Sequence, residues 1–373
     1  MSLVEEIIDW LYAEQLGIDE QWSYLLPTGF TWWADQYAQT VEMVREEKGP
    51  NGETGYLLCV RTELLREVDL TADALTEINA LPMRCASMAG PVYDADARRL
   101  DLWSLIRVTD DNGSWMRFLL AAAAVIQLAE ARVMAPVLAE STGALPATSA
   151  HQESGARTVP DQMAFAASVF AELGEAPSAW TESEFRAVAD RGLKGLPSPT
   201  VIGANGMTVE FPFGDRTSLC RILTDQPHPL YGNGLLILQS FPVEIGQAGH
   251  GESTDPDTEG VKLALSLNAA DLTHRLTGHG FGSYAWADGT IHFTAFLPNA
   301  LHKPGLLPNL YFSCAARAQA MAARFAEHQW DGDAYSLDPA VLARRRQQRQ
   351  AAAPTLERPM RGCPMARANT GGH

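Results

Sequence analysis

Cysteine is sparse in this sequence and never sits at redox or metal-binding spacing. Cys59, Cys85, Cys220, Cys314 and Cys363 are scattered over 373 residues without a C-x-x-C pair. Four of them fall inside apolar patterns, where a free thiol behaves as a small buried hydrophobe. This usage excludes a disulfide framework and points to a reducing compartment. Positive charge is missing where a secretory signal would carry it, because Met1 to Trp10 holds Glu5, Glu6 and Asp9. Long hydrophobic runs are missing too. The longest, Phe118 to Leu128, is too short to cross a bilayer and contains Gln127. These absences predict a cytoplasmic protein that does not engage a membrane.

Basic residues are scarce over most of the chain. The formal charge is −17, but seven arginines and a single acid, Glu357, lie from Arg344 onward. Residues 1–343 alone carry 21 basic and 44 acidic side chains, a net of −23. A body that acidic repels phosphate backbones, which excludes nucleic acid as an expected partner. A basic or amphipathic protein segment is the better electrostatic match, and plain solubility is the other use of such charge.

Catalytic signatures are absent as well. No G-x-S-x-G elbow exists, since Gly280-Phe281-Gly282-Ser283 has the wrong order. H-E-x-x-H, P-loop and G-x-G-x-x-G patterns are missing, and Gly232-Asn233-Gly234 lacks a third glycine. His274 and His279 lie five apart and would not share a helix face, so no metal is expected there. Asp255-Pro256-Asp257-Thr258-Glu259-Gly260 copies the start of a calcium loop, but position twelve is Ser266 where a bidentate Glu belongs. Asp110-Asp111-Asn112-Gly113 reads as a turn. The expectation is a non-enzyme without metal or cofactor. The alternative is an enzyme with a dispersed site near His274, His279 and Asp288.

What is present suits a folded chain: 46% hydrophobic and 20% charged residues, long enough for two units of ordinary size. Helical spacing covers Leu3–Leu16, and strand patterns follow at Phe30–Glu46 and Tyr56–Val68. A short helix from Thr71 to Asn79, capped by Thr71, precedes strands at Met83–Tyr93 and Leu100–Val108. A long helix from Ser114 to Ala139 closes the unit. After a linker-like stretch the order recurs. Strands are predicted at Met207–Phe213, Ser218–Thr224 and Leu235–Ile245, then a short helix at Asn268–Leu276. A hairpin turning at Asp288-Gly289 and a final helix from Asn309 to Trp330 complete it. Tyr56–Val68 aligns with Leu235–Ile245, and Leu119–Ala135 aligns with Ser313–Ala326. The loop 246–260 has no counterpart in the first half.

The predicted fold is therefore α+β, two tandem repeats of an antiparallel sheet packed with helices. The first repeat spans residues 1–140, a linker 141–162, the second repeat 163–335 and an Arg-rich tail 336–373. This order, with Leu75-Thr76-Glu77-Ile78-Asn79-Ala80-Leu81 preceding the hairpin and Leu265-Ser266-Leu267-Asn268 as a looser counterpart, resembles the YbjN family and the related class I type III secretion chaperone fold. In the family the unit works as a homodimer. The resemblance implies that the two halves pair within the chain as a pseudo-dimer, or that the chain forms a homodimer. It also implies a non-enzymatic, chaperone-like or adaptor module acting on a protein or peptide partner. Candidate contact residues are Trp32 and Trp33 in the Trp-rich segment and Arg344, Arg345 and Arg346 in the tail. Trp32 and Trp33 also suit the core of a first strand, and the arginines could equally hold the chain in a larger assembly as a scaffold subunit.

Overall fold

A computed structural model describes residues 2–48, 52–173, 180–192, 198–243, 256–270 and 279–326. The chain enters through α1 (Leu3–Asp9), whose Ser2–Glu5 capping box satisfies its first amides, and continues as a π-helical turn to Gln15. Four antiparallel strands follow: β1 (Ser23–Leu26), β2 (Gly29–Trp33), β3 (Ala38–Lys48) and β4 (Thr54–Arg66). Helix α2 (Ala72–Arg84) leads to β5 (Gly90–Asp94) and β6 (Arg99–Val108), and α3 (Gly113–Thr142) closes the half. A short β7 (Leu145–Pro146), α4 (Ser168–Leu173) and α5 (Glu182–Arg191) lead into the second half. There β8 (Thr200–Gly203), β9 (Gly206–Phe213), β10 (Arg216–His228) and β11 (Gly232–Phe241) form a second meander. Then come α6 (Pro256–Ala270), β12 (His279–Gly280), β13 (Ser283–Ala287), β14 (Thr290–Pro298) and α7 (Leu306–Ala326).

The protein is α+β with two antiparallel sheets, and the two have the same strand order. In the first, β1-β2-β3-β4-β6 is flanked by β5; in the second, β8-β9-β10-β11-β14 is flanked by β13. Each sheet is a four-stranded meander whose last strand pairs with the second strand of a later hairpin. A sheet glutamine bonds the closing helix in each half, from the third meander strand in the first and from the fourth in the second. Gln39 Nε2 donates to the Ala124 carbonyl of α3 (2.9 Å), and Gln239 Nε2 donates to the Cys314 carbonyl of α7 (3.0 Å). In the first half that contact belongs to a wholly buried network. Trp32 Nε1 donates to Gln39 Oε1, Gln39 Nε2 to Thr62 Oγ1, and Thr62 Oγ1 to Gln127 Oε1. Gln127 Nε2 donates in turn to Ser104 Oγ and the Val60 carbonyl. A network with its partners in place fixes the rotation of α3 on the sheet, which apolar packing alone would leave looser.

The halves are not separate bodies; residues 1–337 form one compact unit. They exchange matching segments. β12 of the second half extends the edge of the first sheet, pairing His279 and Gly280 with Ile106 and Leu105 of β6. Reciprocally, Phe296 N of β14 donates to the Ser87 carbonyl, three residues before β5 (3.2 Å). Where the exchanged segments cross, a Cβ on Gly90 would lie 2.7 Å from Ser283 Cβ, so only glycine lets the strands pass.

Residues 141–162, expected as a linker, are a packed strap. β7 pairs with β4, Ala147 N donates to the Leu64 carbonyl, and Ser149 N to the Gln36 carbonyl. Arg157 is buried, with Nη1 donating to the Trp33 carbonyl (2.8 Å) and Nη2 reaching Asp161 (3.1 Å) and Asp19 (3.3 Å). The small polar composition imitates a linker, but here backbone amides and the Arg157 guanidinium are paired within the protein. Three other boundaries differ from expectation. The predicted Phe30–Glu46 strand is two strands, β2 and β3, separated by Ala34–Tyr37. The second short helix is α6, starting at Pro256 inside the supposed acidic loop. The cap of α3 is at Asn112, whose Oδ1 accepts from Thr109 N, not at Ser114. Thr71 does cap α2, accepting from Ala74 N. Helix α3 is the single described helix long and apolar enough to cross a membrane, and it is mostly buried in the core.

Candidate functional site

The geometry of the sheet edges defines the site. A sheet edge exposes unpaired N–H and C=O groups to which another chain can add. The two edges at the junction of the halves are sealed. On β13 the two-residue turn at Asp288-Gly289 sets the alternation, leaving the backbone of Tyr284 and Trp286 facing outward. Asn268 takes Tyr284, its Oδ1 accepting from the amide (2.7 Å) and its Nδ2 donating to the carbonyl (3.3 Å). Asn79 of α2 does the same for Trp286, at 2.7 and 2.8 Å. Each carboxamide stands in for one peptide of a missing strand. On the other sheet, β12 and α6 cover β6 and β5.

Among the described residues the open edges are β1 and β8, the outermost strand of each sheet. Helix α5 packs beside β8. Strand β1, Ser-Tyr-Leu-Leu, carries no charge and exposes two consecutive apolar side chains, Tyr24 (45%) and Leu25 (71%). Its turn to β2 has two residues, so Tyr24 and Leu26 bond inward and the backbone of Ser23 and Leu25 faces outward. Beside it lies an aromatic cluster. His151 of the strap sits 5.3 Å from Trp33, 6.3 Å from Tyr24 and 6.4 Å from Trp22, and the Arg157 guanidinium lies over Trp22.

The sequence-predicted contact residues fall as follows. Trp32 and Trp33 are 1% and 6% exposed, which corrects the expectation that their side chains form a contact surface. Trp32 belongs to the buried glutamine network, and Trp33 Nε1 donates to Ser149 Oγ of the strap (2.9 Å). Both indoles have partners inside the chain, so what they contribute is support: Trp33 underlies Tyr24. Arg344, Arg345, Arg346 and His274 lie outside the described residues. His279 is placed by its backbone pairing in β12, and Asp288 occupies a positive-φ turn position. Strand β1 itself escapes sequence reasoning, because four residues before a proline are too short to show a period.

A buried polar cluster where the halves meet escapes sequence reasoning too. Cys85 Sγ at the end of α2 lies 3.1 Å from His228 Nε2. Tyr231 stacks on the His228 ring at 4.5 Å and its hydroxyl donates to the Ile126 carbonyl (3.3 Å), while Glu130 of α3 lies near Ser87 and Tyr231 with its Oε1 unpartnered. A Cys–His pair suggests a nucleophile, but its protonation is wrong for one. His228 Nδ1 accepts from Leu230 N (3.1 Å), so in neutral imidazole the proton sits on Nε2, which faces the thiol and the Ala86 carbonyl. Burial holds the imidazole down at about 4 and pushes the thiol up to about 11. Neither group is ionised near neutrality, the opposite of an activated pair. Burial likewise raises Glu130 to about 7. Among the described residues no group of three or more His, Cys, Asp or Glu could hold a metal ion. A broadly open cavity of about 520 Å³ is lined by Glu14–Gly17 and Pro160–Met163, without serine, threonine, cysteine, lysine or histidine. Compared with protein families, characterised proteins and solved structures, the chain shows no match.

Proposed function

We propose that this chain is a non-enzymatic protein-binding module, chaperone-like or adaptor, that captures an extended segment of a partner protein on the β1 edge. The observation that carries the proposal is the asymmetry of edge protection: the junction edges are sealed by two asparagines and an exchanged strand, while β1 is left open, uncharged and apolar. Natural edges that must stay unpaired carry charges, prolines or bulges, and β1 carries none within its four residues. Strand addition takes affinity from main-chain bonds, here offered by Ser23 and Leu25, and specificity from side-chain neighbours, here Tyr24 and the aromatic cluster. The repeated strand order and reciprocal exchange support reading the chain as a pseudo-dimer of YbjN-like, secretion chaperone-like halves. The unpaired thiols of Cys59, Cys85, Cys220 and Cys314 support residence in the cytoplasm.

The test is affinity capture from cell lysate with three forms: the intact chain, Leu25→Lys, and a chain ending at Ala343. A dominant protein held by the intact and shortened chains but lost from Leu25→Lys supports the proposal. Loss on truncation alone moves the function to the arginine tail and supports the scaffold reading. Equal capture by all three places the contact elsewhere and refutes the β1 site.

A further inference from the structure

Resting on the β1 reading, we infer that the segment received there is basic: an extended strand with lysine or arginine at the end that meets Ser23 and apolar residues beside Tyr24 and Leu25. The argument is charge complementarity at a defined place. The sequence has no lysine or arginine before Arg45, while eight acids precede it. Asp19 and Glu20 lead directly into β1, and Glu20 is exposed. Glu153, also exposed, is brought to the same end by the strap, where Ser154 Oγ donates to the Gln21 carbonyl (2.6 Å). Glu14 stands on the preceding turn, exposed. The strap's cation at this end, Arg157, is already held by Asp19, Asp161 and the Trp33 carbonyl, so it does not neutralise Glu20 or Glu153. An acidic strand arriving at Ser23 would set like charges together, whereas a basic one finds Glu20 and Glu153, which have no ion pair among the described residues. Electrostatic complementarity of this kind selects partners and speeds association more than it adds affinity.

The experiment titrates the intact protein with two synthetic ten-residue peptides, one alternating valine with lysine and the other valine with glutamate. It reads the amide resonances of Ser23 and Leu25. The expected result is that the lysine peptide shifts both amides and binds about tenfold or more tighter than the glutamate peptide. That preference should shrink severalfold between roughly 50 and 200 mM salt. It should also shrink in the double variant Glu20→Gln with Glu153→Gln, and Leu25→Lys should lose binding. Equal binding of both peptides at β1 overturns the charge inference and leaves the edge standing. No shift at β1 with either peptide overturns the edge reading and the inference together. Lysine-peptide binding that survives Leu25→Lys shows charge attraction without strand addition and also overturns the inference.

Discussion

Replacing Glu130 by glutamine tests the junction between the halves most directly. The carboxyl is 1% exposed, has no cation among the groups acting on it, and is held at about 7 against an ordinary 4.5 because burial disfavours its charged form. Its surroundings are Ser87, the Tyr231 hydroxyl and the Cys85 thiol. For an acid whose value is raised on folding, stability is greatest where both states are protonated, below about 4.5. It falls as pH rises, because the unfolded chain releases a proton that the folded chain keeps, and the loss is complete above about 7. Each tenfold rise in proton affinity is worth about 1.4 kcal/mol, so the whole rise amounts to about 3 kcal/mol, most of which accrues between about pH 5 and pH 8. Glutamine keeps the shape and cannot ionise. The expected outcome is that Glu130→Gln gains on the wild type by about 2–3 kcal/mol across that range, read by urea unfolding with tryptophan fluorescence. Taking the difference between the two proteins cancels other titrations, including buried Asp101, which is raised to about 6. A difference that does not change with pH would refute the reasoning, because it would mean the carboxylate is as well solvated folded as unfolded.

Other perturbations address the edges and the crossing. Asn79→Ala should expose the outward peptide of Trp286 and cost about 1–3 kcal/mol in chemical denaturation. It should also promote concentration-dependent association through β13, visible by light scattering. Gly260→Ala places a Cβ 2.1 Å from Trp286 Cδ2, in a contact where Trp286 Nε1 donates to Asp257 of the same helix. Overpacking of about 1–3 kcal/mol should exceed the roughly 1 kcal/mol gained by removing a helix glycine, so the variant should melt lower and lose near-ultraviolet dichroism. Cys85→Ser should leave alkylation of the native protein nearly unchanged, since a thiol held at about 11 is already inert at neutral pH. Rapid labelling of wild-type Cys85 at neutral pH would contradict the protonation assigned to the Cys85–His228 pair.

Periodicity makes the repeated α+β architecture legible, because it survives wherever one face is buried. Leu58, Val60 and Leu64 alternate on β4, and the Ala-rich α3 announces a helix packed on all sides. Turn chemistry locates the Asp288-Gly289 hairpin, whose two residues both take positive φ. Three things are not legible. Strands of four residues carry too little pattern, which hides β1 and β8. Composition reports the polarity of a segment and not where its hydrogen bonds go, so the strap resembles a linker until Arg157 and Asp161 are seen paired. Lastly, Pro82 argues for an early end to α2, yet the helix runs to Arg84 and the Pro82 carbonyl accepts from Thr294 Oγ1 of the other half. For the candidate site, the aromatic neighbourhood is visible in the sequence and the edge is not. Trp33 stands out for its size, but it is the exposed Tyr24 above it that a partner would meet.

Joining two such halves in one chain has a consequence that a homodimer could not have. Two identical subunits must present identical edges and faces, whereas linked halves meet at high effective concentration whatever their outer surfaces become. The outer faces here differ. On the first sheet Arg61, Arg99 and Asp101 form a charged network around Trp103. On the second, Leu219, Leu223, Leu236 and Leu238 share the corresponding face half-buried, interrupted by exposed Arg221. The outer edges differ with them, Ser-Tyr-Leu-Leu in β1 against Thr-Val-Ile-Gly in β8. The junction keeps what pairing requires: matched crossing segments, and asparagines at the sealed edge. On the function proposed above, a difference outside the junction would let one edge serve a partner while the other does not. It also makes β8 the internal control for β1. A lysine at Val201, 71% exposed as Leu25 is, should leave partner capture intact where Leu25→Lys abolishes it. Equal loss from both would mean that the edges act as a symmetric pair and that the asymmetry carries no function.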